Sequence, residues 1–275
     1  STVDLVRKHD HPDRFLESAK IRGVLPENGN PQGYVRDLLL HEIFMDAFTH
    51  KRPHLSLYHM IQTDHVQHIH GKNSQEARDA FMFMDSLIGN IMTLLDDNNL
   101  WPTTSLIITG DHGFRNYQKQ LAINKLFEKN GWLSIRDGKI EDWRVVGLAS
   151  GGSAFIRIKN HEKDDFKKKV RIVLAKQKEF ETLERRHMNR LLWSPIETDF
   201  LLMAKKEFCF VQSLNQPFIT EKRGGTHGGD PRSHYLKTGY IAGGRGIEKG
   251  ILENMMITDV AIQISALLDI GLISD

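Results

Sequence analysis

Apolar residues recur at helical spacing in several stretches of the chain. In the longest stretch, from Ala77 to Leu95, they return every three, four and seven residues, which predicts an amphipathic helix. Asn73 followed by Glu76 has the spacing of a capping box at the start of that helix. Similar spacing predicts further helices at residues 34–50, 118–133 and 162–176 and in the closing stretch TDVAIQISALLDIG.

Short apolar runs rich in β-branched residues lie between these helices. KRPHLSLYHMI and TSLIITG each follow a predicted helix, so helix and strand alternate in the first half of the chain. Such alternation needs crossover connections, and it predicts an α/β fold with a mostly parallel sheet and helices on both faces. SAFIRI and a strand pair in TDFLLMAKKEFCFVQ follow later. We expect residues 150–225 to form a small α+β insertion in a core of residues 1–149 and 226–275.

Composition narrows the class of protein. The 275 residues suggest one large domain or a domain with an insertion, and 40% hydrophobic with 26% charged residues is typical of a soluble globular chain. A net charge of +2 gives no electrostatic reason to expect a nucleic-acid duplex or a membrane as partner. The single cysteine, Cys209, excludes an internal disulfide and slightly favours the cytoplasm. The chain begins without Met, so a preceding segment that carried a signal stays open. The sequence also leaves the oligomeric state open.

Histidine is unevenly distributed, because seven of the 14 histidines fall between His41 and His70. In IQTDHVQHIHG, Asp64 and His68 are four residues apart, so on a helix both side chains would point the same way. Carboxylate and imidazole are typical ligands of a catalytic zinc ion. Gly71 permits a sharp turn after the segment. A polar loop with incidental histidines is the alternative.

Two further segments carry the same chemistry. Asp111 and His112 in IITGDHGF follow a predicted strand, where ligands gather in open α/β sheets, although GDHG is also a typical turn. His227 in GGTHGGD is flanked by glycines that allow a loop to approach a site closely. Taken alone, this third segment is as well explained by a plain glycine-rich loop.

In this order, the three segments resemble the alkaline phosphatase superfamily, in particular the type I phosphodiesterases and nucleotide pyrophosphatases. The family pattern D-x-x-x-H-x-x-G, then D-H-G, then G-x-H-G before an apolar strand is matched from about residue 35 onward. The resemblance implies two divalent ions, usually zinc, that clamp a phosphate. One ion would take Asp64, His68 and His227, and the other Asp111 and His112. It also implies hydrolysis of phosphodiester or pyrophosphate bonds in a nucleotide or another small phosphate ester.

The sequence departs from the family pattern before Asp64. The family has an N-terminal strand that ends in Asp-Gly and a Ser or Thr nucleophile at a helix start, and neither is recognisable in the first 63 residues. The catalytic nucleophile is therefore unknown. The chain is either a fragment of a longer enzyme or a shortened, non-hydrolytic relative that keeps metal ligands. A sulfatase or phosphomonoesterase of the same superfamily is a further alternative.

Overall fold

The computed structural model describes residues 32–159, 165–184, 198–252 and 255–271. Most helices form where the apolar spacing is helical, and none in the described ranges combines the length and apolarity needed to cross a bilayer. The α-helices are α1 (Gly33–Lys51), α2 (Gln62–His70), α3 (Gln75–Asp97), α4 (Ile123–Lys129), α5 (Asp165–Ala175) and α6 (Asp259–Leu268), and His234–Leu236 forms a 3₁₀ turn.

The strands are short and belong to four small sheets in the described ranges. Their orders are β1-β11, β10-β2-β9, β3-β4 and β5-β6-β8-β7. The bounds are β1 (Ser105–Thr109), β2 (Arg115–Leu121), β3 (Leu133–Arg136), β4 (Lys139–Trp143), β5 (Val145–Ser150), β6 (Ser153–Ile158), β7 (Phe180–Glu184), β8 (Phe200–Ala204), β9 (Phe208–Phe210), β10 (Ile219–Thr226) and β11 (Tyr240–Gly244).

Backbone proximity divides the chain into two compact units. Of the described residues, unit 1 takes those up to Val66, those at 78–109 and those from Gly239 onward, and it contains the antiparallel pair β1 and β11. Unit 2 takes the described residues at 67–77 and between Gly110 and Thr238, and it contains the other three sheets. The division falls inside α2, which runs through it without a break.

The main hydrophobic core lies in unit 2, under the β5-β6-β8-β7 sheet. Helix α5 contributes Phe166, Val170 and Leu174, whose spacing of four residues puts them on one face. The sheet and α4 supply the large side chains that are almost completely buried. They include Phe127, Val145, Ile156, Phe200 and Leu202. Each such side chain stabilises the fold by about 1.5–3 kcal/mol through burial. This core therefore gives the strands of unit 2 a rigid support.

Much of the predicted secondary structure is confirmed. The helices predicted at residues 34–50 and 77–95, the closing helix and the strands in TSLIITG and SAFIRI are present, and the helix predicted at 162–176 is present from Asp165, since residues 162–164 lie outside the described ranges. The strand pair predicted in TDFLLMAKKEFCFVQ is present as two strands, β8 and β9, but they belong to different sheets and do not pair with each other. Most of the predicted apolar stripe on α3 is buried, from Ala77 and Ala80 to Ile91 and Leu95, but Phe81, which has the same helical spacing, is 54% exposed. The mixed α/β class holds, whereas the insertion bounded by residues 150 and 225 stays a prediction.

Three sequence predictions differ from the structure. Residues 52–61 form no strand, so KRPHLSLYHMI is wrong as a strand prediction. The helix predicted at 118–133 begins instead as β2, because that segment is paired on both sides by β10 and β9. The mostly parallel sheet is not confirmed, since the described strand pairs are antiparallel except β2 with β9.

The start of α3 also differs in detail. Ser74, not Asn73, precedes the first helical residue, and its Oγ accepts the backbone N–H of Ala77 at 3.0 Å. The hydroxyl thus satisfies one of the N–H groups that a helix start leaves unpaired. The capping residue is one position later than the capping-box pattern predicts.

Candidate metal centre

Helix α2 carries two of the predicted ligands. Because the segment is helical, Asp64 lies in its first turn and His68 lies about one turn further on the same face. Gly71 follows the helix with φ +87°, a backbone conformation that glycine adopts easily. The backbone N–H of Lys72 donates to Asn116 Oδ1 at 2.8 Å, which holds this turn against β2.

The His68 ring is oriented by a backbone carbonyl of β10. Its Nδ1 lies 3.1 Å from the carbonyl oxygen of Gly225. An imidazole nitrogen can bond to a carbonyl oxygen only by donating a proton, so Nε2 of the neutral ring keeps its lone pair. Imidazoles that bind metals usually have such a carbonyl partner on the other nitrogen. His68 is therefore prepared to offer Nε2 as a ligand.

The close approach of β10 to α2 depends on glycine. A Cβ atom on Gly225 would lie 2.2 Å from the carbonyl oxygen of Gln67, and one on Gly224 would lie 2.5 Å from that of His68. No side chain fits at such distances. The two glycines of GGTHGGD before His227 thus let the strand lie directly on the helix backbone.

His227 follows β10 and faces His68. The two Nε2 atoms are 3.1 Å apart. Asp64, His68 and His227 each offer one ligand atom, and these atoms all lie within 4.8 Å of one another. Since Zn–N bonds measure 2.0–2.1 Å, two tetrahedral imidazole ligands would have nitrogens about 3.3 Å apart. One carboxylate and two imidazoles at these distances fit a divalent ion with one coordination position left for water or substrate.

Aromatic rings surround the two imidazoles. The ring of His112 stacks on that of His227 with centroids 3.6 Å apart and planes at 12°. Phe114, 5% exposed, meets His68 and His227 edge-on at 5.0 and 5.2 Å between centroids. These contacts restrict both imidazole rings and shield one side of the cluster from water.

Asp111 and His112, predicted to hold a second ion, lie next to each other. His112 Nε2 is 3.4 Å from Asp111 Oδ2, and the Asp111 side chain is 69% exposed. Within the part of the chain that the structure describes, they join no group of three or more metal-binding side chains. Two donors at the surface do not by themselves enclose an ion, so the second site needs at least one further ligand.

Cys209 lies behind the cluster and is buried, as its apolar context predicts. Its thiol donates to Thr226 Oγ1 at 3.3 Å, and Thr226 directly precedes His227. Burial raises the pKa of the Cys209 thiol above its ordinary value, while the bond to Thr226 and the charge of Arg115 oppose this shift. A neutral thiol is a poor metal ligand, and here it helps to hold Thr226, the residue before His227, in place.

Sequence reasoning missed several residues that shape this site. Phe114 and Gly225 contact the imidazoles directly, and the adjacent DHGF and GGTH segments were the signal that could have identified them. His65 and His70 flank the ligands in sequence but are exposed. His70 Nδ1 lies 3.5 Å from Glu76 Oε1, so it is engaged at the surface and directed away from the cluster.

Comparison with known proteins assigns the chain to a family. The sequence matches the family model described as type I phosphodiesterase/nucleotide pyrophosphatase over residues 9–230. A comparison with curated proteins found no match. Among solved structures, murine ectonucleotide pyrophosphatase/phosphodiesterase 5 is similar with a TM-score of 0.66 and 19% identity, covering 91% of this chain and 62% of that one.

Two further solved structures share the fold. The human ectonucleotide pyrophosphatase/phosphodiesterase 5 has a TM-score of 0.66 and 20% identity, with 91% of this chain and 62% of that chain covered. An inactive variant of the murine protein in complex with AMP gives a TM-score of 0.66, 19% identity and the same coverage of 91% and 62%. The chain thus spans less than two thirds of the length of these relatives. It belongs to the type I phosphodiesterase/nucleotide pyrophosphatase family.

Proposed function

We propose that the chain acts in the metal-dependent hydrolysis of phosphodiester or pyrophosphate bonds. The observation that carries this proposal is the convergence of Asp64, His68 and His227 within 4.8 Å in a chain of this family. Asp64 and His68 lie on one helix, and His227 reaches them from a segment 159 residues beyond His68 in the sequence. The His68 ring is also held in the tautomer that a metal ligand requires.

The ion is zinc in this proposal. Asp64 would supply one oxygen, and His68 and His227 would supply Nε2 atoms, which is the mixed oxygen and nitrogen donor set of catalytic zinc sites. A zinc ion bound there would polarise a phosphoryl oxygen and neutralise charge that develops during displacement. Asp111 and His112 would contribute to a second ion that requires another ligand.

The protein side chains have distinct roles in this scheme. The Gly225 carbonyl accepts the Nδ1 proton of His68 and so keeps Nε2 available. His112 and Phe114 hold the two imidazole rings against rotation and exclude water from one side of the site. Such preorganisation lowers the cost of binding an ion and a phosphate. The nucleophile stays unassigned.

The proposed substrate is a nucleotide or a related small phosphate ester. The inactive variant of the related murine protein was solved in complex with AMP, which supports a nucleotide as substrate here. The half-buried cluster is accessible from one side, since Asp111 beside it is largely exposed. A small phosphate could therefore reach the ion without opening the core.

The test is hydrolysis by the full chain after metal removal and re-addition of zinc. We expect the nitrophenyl ester of a nucleoside monophosphate to be cleaved slowly with zinc, and a chelator to stop the reaction. His227→Gln should abolish turnover, whereas His65→Gln should leave it unchanged, because His65 is an exposed histidine on α2, the helix that carries Asp64 and His68. Equal turnover by wild type and His227→Gln would contradict the proposal.

The same assay separates the alternatives. Faster cleavage of nitrophenyl phosphate or nitrophenyl sulfate than of the nucleotide ester would identify a phosphomonoesterase or a sulfatase. Tight zinc binding without hydrolysis of any ester would instead identify a non-catalytic metal-binding relative.

A further inference from the structure

The start of helix α2 is held by a residue from a distant part of the chain. The position before its first residue is Ile61, whose side chain has no hydrogen-bonding atom. Asp37 Oδ2 instead accepts the backbone N–H groups of Ile61 and Gln62, both at 2.8 Å. Asp37 lies on α1, 24 and 25 residues earlier in the sequence. A side chain from another helix therefore performs the task of an N-cap.

Asp37 is fully buried, so its carboxylate needs strong partners. Its other oxygen, Oδ1, accepts the Nε–H of Arg36 at 3.2 Å, and its backbone carbonyl accepts the hydroxyl of Tyr58 at 3.1 Å. A buried carboxylate costs several kcal/mol unless it is paired and hydrogen-bonded. The positive end of the α2 dipole and the guanidinium together offset that cost. Asp37 is thus held in place at the start of α2.

We propose that Asp37 is a positioning residue for the metal centre. By fixing the Ile61 and Gln62 N–H groups it sets the first turn of α2, on which Asp64 lies. This inference rests on the proposed function, because it assigns to Asp37 a role in presenting a metal ligand. His68 lies further along the helix and is held independently by the Gly225 carbonyl. Loss of Asp37 therefore acts mainly on Asp64 and leaves the two imidazoles in place.

A double-mutant cycle tests this role. Zinc affinity of the full chain is measured by competition titration for wild type, Asp37→Leu, Asp64→Asn and the double variant. Leucine has nearly the shape of aspartate but cannot accept a hydrogen bond. We expect Asp37→Leu to weaken zinc binding by about tenfold, the lower end of the range for groups that bond a metal ligand directly, because Asp37 holds the backbone before Asp64 and not Asp64 itself. In the Asp64→Asn background, Asp37→Leu should have almost no further effect.

Two outcomes overturn the inference and are distinguishable from failure of the proposed function. Unchanged zinc affinity in Asp37→Leu, or an equal loss in both backgrounds, would show that Asp37 only stabilises the fold. If Asp64→Asn itself keeps wild-type affinity, the metal centre fails and the inference fails with it. Glu42→Gln removes a negative charge from the exposed side of the same helix and should leave zinc affinity unchanged.

A rescue experiment covers the case in which Asp37→Leu folds poorly. Ile61→Ser supplies a local N-cap hydroxyl at the start of α2. Added to Asp37→Leu, it should restore most of the zinc affinity and the wild-type visible spectrum of the Co²⁺-substituted protein. A rescued protein that folds, as judged by circular dichroism, but still binds zinc as weakly as Asp64→Asn would overturn the role assigned to Asp37.

Discussion

His68 Nε2 and His227 Nε2 lie 3.1 Å apart although 159 positions separate the two residues in sequence. The Nδ1 proton of His68 is committed to the Gly225 carbonyl, so in the neutral ring Nε2 can only accept. Two ring nitrogens at this distance share either a proton or a cation. In the proposed function, the hydrogen bond between the two rings would be replaced by coordination of both Nε2 atoms to one ion.

The first prediction concerns His227→Gln. Zinc that binds only the folded protein should stabilise it by about 2.7 kcal/mol at a concentration 100 times Kd. The variant lacks one imidazole, so it should lose most of this gain while keeping the apo stability within about 1 kcal/mol. Thermal unfolding with and without zinc measures both quantities.

The matched control is His65→Gln, because His65 lies on α2 but is exposed. It should keep the full zinc-dependent rise in melting temperature. An equal rise in His227→Gln would show that zinc stabilises the protein at another place.

The second prediction concerns Gly225→Ala. The added Cβ would lie 2.2 Å from the Gln67 carbonyl oxygen, and backbone at both positions cannot move aside cheaply. We expect a loss of stability at the upper end of the 1–3 kcal/mol that overpacking usually costs, about 3 kcal/mol. Zinc affinity should fall as well, because the displaced strand no longer holds His68 Nδ1.

Gly239→Ala provides the control for this substitution, since a Cβ at Gly239 would meet nothing within 4 Å. Chemical denaturation of both variants decides the question. A Gly225→Ala protein as stable as Gly239→Ala would contradict the close approach of β10 to α2.

Local sequence pattern predicted the parts of this site that depend on local structure. The four-residue spacing of Asp64 and His68 follows from helix geometry alone, and the structure has a helix there. The position of Asp37 at the start of α2 could not be predicted in this way. It depends on how α1 packs, and a missing N-cap at Ile61 was the single local hint.

Strand assignments failed where pairing decides the outcome. Residues 118–121 have helical spacing with the residues that follow, yet β9 and β10 pair with them on both sides and hold them in a strand. Conversely, HLSLYHMI has the composition of a strand but finds no partner in the described ranges. Strand propensity reports fit to a partner surface, so it is less reliable than helical spacing.

The third prediction concerns acid stability and His41. Its side chain is buried, and among the described residues its Nδ1 has no hydrogen-bond partner. Burial lowers the pKa of His41 below the ordinary value of 6.5, and the charge of Glu42 opposes this shift only in part. The unfolded chain then binds more protons, so stability is complete above pH 6.5 and falls as the pH drops towards the folded-state pKa.

Replacement of His41 by leucine should flatten this dependence. The slope of unfolding free energy against pH should decrease by at most one proton, about 1.4 kcal/mol per pH unit. Urea denaturation of the zinc-free protein between neutral and acidic pH measures the slope, and His65→Gln serves as the exposed-histidine control. An unchanged slope in His41→Leu would mean that another group titrates on unfolding.

The fourth prediction concerns the number of ions and Asp111. The ligand atoms of Asp64, His68 and His227 lie within 4.8 Å of one another. The Asp111 side chain, by contrast, is 69% exposed, and its one ion pair within the described ranges is with His112. We expect one tightly bound zinc ion per chain and a second bound far more weakly. Asp111→Asn should remove the weak ion and change the affinity for the first by less than about threefold, since exposed charges contribute little.

Asp64→Asn gives the matched comparison, because it is the same chemical change made inside the cluster. It should weaken the first ion by at least about tenfold and leave the weak second ion nearly unaffected. Equilibrium dialysis with metal analysis separates the two affinities. Two equally tight ions in wild type, one of them lost in Asp111→Asn, would instead mean that this chain completes both metal sites with side chains outside the cluster.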